Sequence, residues 1–174
     1  MAAPTAEKVR NVVLVGQDGA GKTSLAEAML HLTGKTSRMG TTHDGKSNMD
    51  YDAEEKKRKF TIATSIAPVH YRDYKINILD TSGYPDFLGD TIASMQAAEM
   101  ALFVIDAATG VQVMTTKLWH TAENMRICRS IFINHIDRKD ADFQSSLDGL
   151  EEAFGNRVGA VNIPIGEGED FKGV

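Results

Sequence analysis

The chain contains one cysteine, Cys128, and a lone thiol cannot build a disulfide framework. It stands inside an apolar, strand-like run, where a buried structural thiol is expected, as in a cytoplasmic protein. Long hydrophobic runs are missing too. No stretch approaches the roughly eighteen apolar residues of a membrane helix, so no membrane contact is expected. Met1 to Arg10 lacks the apolar core of a secretory signal. Excess positive charge is also absent, with 19 Lys and Arg against 24 Asp and Glu and a net charge of −5. That balance weighs against a general nucleic-acid binder, and no direct DNA contact is expected. Repeats, low-complexity tracts and an interdomain linker are lacking as well. What remains is 174 residues with 42% apolar and 25% charged side chains, the composition of one compact folded domain.

The most informative segment is Gly16-Gln17-Asp18-Gly19-Ala20-Gly21-Lys22-Thr23, the full P-loop pattern. It follows the apolar run Val12 to Val15, which reads as a buried strand. Ser24 to Leu30 continues with helical spacing. The glycines therefore fall in a strand-to-helix turn. Backbone N–H groups and the positive end of the helix converge there on phosphate, Lys22 reaches the β- and γ-phosphates, and the Thr23 hydroxyl is placed to ligate Mg²⁺.

Downstream, the hydrophobic periods alternate. Gly34 to Lys59 is polar and carries the charge run Glu54 to Lys59; it reads as a long functional loop, with the run itself a solvated helical turn. Strands are expected at Phe60 to Tyr71 and Lys75 to Leu79 around an Arg72-Asp73 turn. Then come a helix over Asp86 to Ala98 and a strand over Ala101 to Ile105. A helix over Met114 to Met125, a strand over Ser130 to Asn134, a helix over Asp142 to Phe154 and a last strand near Val161 to Pro164 complete the pattern. The fold class is α/β: a three-layer P-loop NTPase fold, mostly parallel, with one antiparallel edge strand and helices on both faces.

Two further motifs define the nucleotide chemistry. Asp80 closes the strand ending at Leu79, where a Mg²⁺-organising carboxylate belongs beside a P-loop. Gly83, in Asp80-Thr81-Ser82-Gly83, can bring its N–H to a γ-phosphate with no side chain in the way, the logic of a switch loop. Asn134-His135-Ile136-Asp137 follows the next strand pattern. A carboxylate at Asp137 accepts from both N1–H and the exocyclic amine of guanine, whereas adenine offers no such donors. This favours GTP and GDP and opposes an ATP-using reading. The position commonly held by Lys is His135, whose imidazole can stack on the base.

With these motifs in order, the sequence resembles translational GTPases of the elongation factor G type over nearly its whole length. Thr42-His43-Asp44-Gly45 through Tyr51 looks like that family's first switch. Arg58-Lys59-Phe60-Thr61-Ile62 matches its Arg-Gly-Ile-Thr-Ile at Arg58, Thr61 and Ile62. Gly110-Val111-Gln112 with Trp119, then Asp137-Arg138 and Ala141-Asp142-Phe143, continue the likeness. The departures bring the chain nearest to the elongation factor G-like paralogues, a bacterial subgroup. The resemblance implies GTP hydrolysis on the ribosome, with GTP or GDP and Mg²⁺ as cofactors. It makes Thr61 the switch threonine that ligates Mg²⁺ and contacts the γ-phosphate, acting with Lys22 and Gly83.

The departures are specific. Tyr84 stands where the family has the His that orders the attacking water; a phenol is a poor base at neutral pH, yet its hydroxyl can orient water. A sensor of GTP and GDP with negligible hydrolysis is therefore the competing reading. Gly19 replaces an Asp associated with a monovalent cation, Lys59 replaces the switch glycine, and Ser82 replaces a proline. The resemblance also implies that residues 1–174 form a truncated G domain. Residues 159–174 then open an inserted subdomain, and the fifth, guanine-backing motif is absent.

Overall fold

The computed structural model describes residues 4–156 and 158–174; Met1 to Ala3 and Arg157 lie outside the described residues. Strand β1, Val9–Val15, is the apolar run before the P-loop, and Val13, Leu14 and Val15 are wholly buried. It pairs in parallel with β3, Tyr74–Asp80, on one side and with β4, Met100–Asp106, on the other. Strand β5, Cys128–Asn134, extends the parallel ladder from β4, and β2, Ser65–Tyr71, closes the opposite edge antiparallel to β3. The order β2-β3-β1-β4-β5 is the expected mixed sheet with a single antiparallel edge strand. Because β1 takes one neighbour from each half, the chain leaves its C-terminal end in divergent directions and opens a crevice there.

Both faces are covered. Helix α1, Lys22–Leu32, lays Ala26 and Leu30 on Leu14, Ile78 and Leu102, with Met49 from the following loop. On the other face α3, Leu88–Gln96, and α4, Val113–Met125, pack Met95, Leu118 and Ala122 onto Val13, Val15 and Phe103. Helix α5, Phe143–Phe154, begins at Asp142, whose carboxylate accepts from the Ser145 N–H at 2.8 Å. Its last residue, Phe154, stacks on Trp119 of α4 at 4.1 Å between ring centroids.

Four local expectations change. The strand expected from Phe60 begins only at Ser65, because the backbone N–H groups of Ile62 and Ala63 are taken by Glu55 and that of Thr64 by Asp90. Donors bound to carboxylates cannot join a ladder. Cys128 is exposed rather than buried: it opens the edge strand β5, where it shares the less covered face with Ser130 and Phe132. No strand forms over 161–164, where Val161 is 95% and Ile163 68% exposed; only Ile165 bridges to Gly173. Two alternating apolar residues without a neighbouring strand do not suffice. The charge run is a short helix, α2, Ala53–Arg58, but one of its acidic residues, Glu55, is fully buried.

Candidate nucleotide site

The P-loop wraps the crevice at the end of β1. Gly21 has φ 91° and caps α1, and a Cβ there would collide with the Asn134 side chain, so a side chain is excluded twice over. The first intrahelical bond runs from Leu25 N–H to the Gly21 carbonyl, which leaves the N–H groups of Lys22, Thr23 and exposed Ser24 for a ligand. Lys22 is buried and donates to the carbonyls of Gly16 at 3.2 Å and Gln17 at 3.0 Å. Burial pushes its pKa down, against the Asp80 and Asp18 charges, so the ammonium is poised for anionic oxygen.

At the second residue of α1, the Thr23 hydroxyl donates to Asp80 Oδ2 at 2.7 Å and lies 3.0 Å from the Thr61 hydroxyl, which donates to Asp50 Oδ1 at 3.2 Å. The sheet register opposes Asp80 to Leu14, just before the P-loop, which is why the strand-end carboxylate reaches Thr23. Asp80 Oδ1 and Asp50 Oδ2 are buried with no hydrogen-bond partner. Burial raises Asp80 to about 7, and burial reinforced by the Glu55 and Glu27 charges raises Asp50. Two orphaned carboxylate oxygens beside two hydroxyls form an all-oxygen donor set that fits a hard divalent cation such as Mg²⁺.

Gly83 lies against the backbone of Gln17 and Asp18, so closely that a Cβ would overlap it. Tyr84 follows, its ring 4.5 Å from that of Phe60. The neighbouring Asp18 carboxylate, with burial, lifts the phenol above its ordinary value. Gly19 is exposed on the outer curve of the loop and Ala20 is buried beneath it.

On the other flank, Asn134 donates from Nδ2 to the Ala20 carbonyl at 2.9 Å and thereby ties the loop after β5 to the P-loop. His135 has φ 59° and turns its imidazole toward Gly21. Asp137 is exposed on the turn closed by Arg138 N–H to the His135 carbonyl, 3.0 Å.

Four buried carboxylates escaped the reading of the sequence. Asp50 belongs to the hydroxyl cluster above. Asp106, at the end of β4, accepts from His135 and Arg138; burial alone would raise its pKa, but these partners and the Ala108 N–H hold it below the usual carboxylate range. Glu27 accepts from Gly40 N–H, Ser47 Oγ, Met49 N–H and both the backbone and side chain of Asn48. Burial opposes its charge, yet those donors hold it low. Glu55 takes the N–H groups of Asp52, Ile62 and Ala63. Two signals were available: Asp106 repeats the strand-end placement of Asp80, and Asp52 with Glu55 spells a capping box.

Residues 7–170 match the family described as the Elongation factor Tu GTP binding domain. Elongation factor G 1 of Treponema denticola is 37% identical over 97% of this chain, which covers 25% of that protein. Elongation factor G of Granulibacter bethesdensis is 35% identical over 100% of the chain, again covering 25% of the relative. A crystal structure of a protein from Thermus thermophilus superimposes with a TM-score of 0.89 at 35% identity, over 94% of this chain and 24% of that one. The chain thus spans about a quarter of the length of the relatives it matches. With a family match over residues 7–170 and relatives 35–37% identical over nearly its whole length, this chain belongs to the Elongation factor Tu GTP binding domain family and is a GTP-binding domain homologous to that of elongation factor G.

Proposed function

We propose that this chain is the GTP-hydrolysing switch domain of an elongation factor G-like translation factor that works with the ribosome. The observation that carries the reading is the convergence of Thr23, Thr61 and Asp80 within hydrogen-bonding distance beside the buried Lys22. Lys22 and the α1 N-terminus neutralise the β- and γ-phosphates, and Asn134 and Asp137 select guanine. Thr23, Thr61 and Asp80, with Asp50 beside them, would hold Mg²⁺, which supplies charge neutralisation at the β- and γ-oxygens when bound. Thr61 comes from the long loop and Asp80 from β3. Occupancy of the site by GTP therefore orders the loop, and loss of the γ-phosphate releases it, together with the segment after Gly83. Tyr84 takes the place of the water-ordering histidine.

The competing reading, a GTP and GDP sensor with negligible turnover, is favoured by Tyr84 standing where the resemblance places the water-ordering histidine, because a phenol is a poor base at neutral pH. Single-turnover GTP hydrolysis with and without ribosomes separates the two. Ribosome-stimulated turnover that falls on Tyr84→Phe supports the hydrolase; tight GTP binding with no stimulated turnover supports the sensor. ATP competing as well as GTP would overturn the guanine assignment.

A further inference from the structure

Thr61 stands between two bridges to the segment that follows Asp80. On one side its neighbour Phe60 lies against the Tyr84 ring, 4.5 Å between centroids. On the other, three residues on, Thr64 is held by Asp90 of α3, whose Oδ2 accepts from the Thr64 N–H at 2.7 Å and from its hydroxyl at 2.5 Å. Ser94, one turn further along α3 and so on the same helix face, has its Oγ 2.7 Å from Thr64 Oγ1. A carboxylate only accepts, so the one Thr64 hydroxyl proton goes to Asp90, and toward Ser94 that oxygen is the acceptor.

The next residue of α3 turns to a different neighbour. Thr91 is buried and donates to the Ser82 carbonyl at 3.2 Å, with the Phe87 carbonyl farther, at 3.5 Å. Ser82 precedes Gly83, which lies against the backbone of Gln17 and Asp18. Adjacent residues of one helix therefore hold both partners: Thr91 the segment at Gly83, and Asp90 the end of the long loop. Between Thr61 and β2, the N–H groups of Ile62 and Ala63 go to Glu55, but Glu55 rides on α2, inside the long loop. Asp90 is rooted outside it.

We infer that Asp90 is a positioning residue for the Mg²⁺ site: by holding Thr64 it couples Thr61 to the segment that carries Gly83, so that the two parts that meet the γ-phosphate are captured together. The inference rests on the roles given to Thr61 and Gly83 above and deepens them. With the γ-phosphate bound, each of the two contacts favours the other through α3. Coupling of this kind is reciprocal, so a loss at either contact loosens the other. GDP engages neither, and the Thr64–Asp90 pair adds nothing to its affinity. That asymmetry separates positioning from support of the fold.

The test uses the full-length protein as wild type, Asp90→Ala, Thr64→Val, Thr64→Ser and the double variant of Thr64→Val with Asp90→Ala; Thr61→Ala sets the scale. Affinities for GDP and for a non-hydrolysable GTP analogue are measured across a Mg²⁺ titration, beside hydrogen exchange over residues 60–64. Asp90→Ala is expected to weaken the analogue by roughly fivefold, the lower end of typical couplings between sites, and to raise the Mg²⁺ needed for its binding. GDP affinity should not change, and exchange over 60–64 should quicken in the analogue-bound protein. Thr64→Val keeps the backbone N–H and should lose less. Thr64→Ser keeps both donors and should restore binding, and the double variant should be no worse than Asp90→Ala. Equal losses for analogue and GDP would mark a merely structural role and overturn the inference, as would fully additive losses in the double variant. If Asp90→Ala binds the analogue as the wild type does while Thr61→Ala does not, the coupling falls and the reading of the Mg²⁺ site stands. If Thr61→Ala itself binds Mg²⁺ and the analogue like the wild type, that reading falls and this inference with it.

Discussion

His135 Nδ1 lies 2.7 Å from Asp106 Oδ2, and because an ionised carboxylate can only accept, that nitrogen carries the hydrogen. Arg138 Nη1 donates to the same oxygen at 2.8 Å. One carboxylate on β4 thus holds both ends of the turn that carries Asp137. Asp106→Ala should weaken GDP binding by about tenfold, in keeping with about 1–2 kcal/mol for losing charge-assisted hydrogen bonds. Calorimetry checks it. Wild-type GDP affinity in this variant would show that the base loop is held by other contacts.

Glu27 anchors Gly40, Ser47, Asn48 and Met49 to α1. Glu27→Ala strands several buried donors at once and should destabilise the fold by about 3 kcal/mol, with protease cleavage between Gly40 and Asn48 appearing first. The pH dependence has a definite sign. A carboxyl held below its unfolded value contributes stability in full above that value, and the contribution is lost as pH falls through the lower folded one. Urea titrations of wild type and Glu27→Ala should therefore converge in acid and separate toward neutrality.

Asp80 behaves in the opposite sense. Its folded value is raised to about 7, so the fold holds this proton more tightly than the unfolded chain does. The associated stability is complete below the unfolded value, near 4, and declines as pH rises from there to about 7. In nucleotide-free protein with chelator present, Asp80→Asn should match the wild type in acid and exceed its stability at about pH 8. Equal stability at both would mean the buried charge is neutralised by other means.

Lys59 occupies the left-handed region at φ 61°, capping α2, a conformation that favours glycine. A lysine there is strained by about 1 kcal/mol, partly offset by glycine's greater freedom in the unfolded chain. Lys59→Gly should leave the fold intact and raise its melting temperature by about 1–2 °C. A lower melting temperature would show that the Lys59 side chain makes stabilising contacts of its own.

The sheet and the phosphate loop were legible because their signals are local. An apolar run followed by Gly16 to Thr23 specifies strand, turn and helix within a few neighbours, and Asp80 is marked by the strand it ends. Glu27, Asp50, Glu55 and Asp106 were not legible as buried residues. In sequence a carboxylate that collects backbone N–H groups from a distant loop looks like one facing water; its partners at Gly40 to Met49 lie far along the chain. The same cause misplaced the start of β2, since Glu55 and Asp90 take donors that periodicity would give to a ladder. Cys128 was misjudged because an apolar neighbourhood in sequence cannot report that β5 is an edge.

Ser65, the first residue of β2, pairs with Asp80 across the antiparallel ladder, and Thr61 lies four residues before it. That ladder makes a leash. However far the loop opens, Thr61 remains within roughly 14 Å of Ser65, the reach of four extended residues, and Ser65 sits about 5 Å across the ladder from Asp80. Recapture is then a short intramolecular search at high effective concentration rather than the refolding of a free segment. The long excursion falls to the residues before Thr61, and Ser65 is the pivot about which they swing.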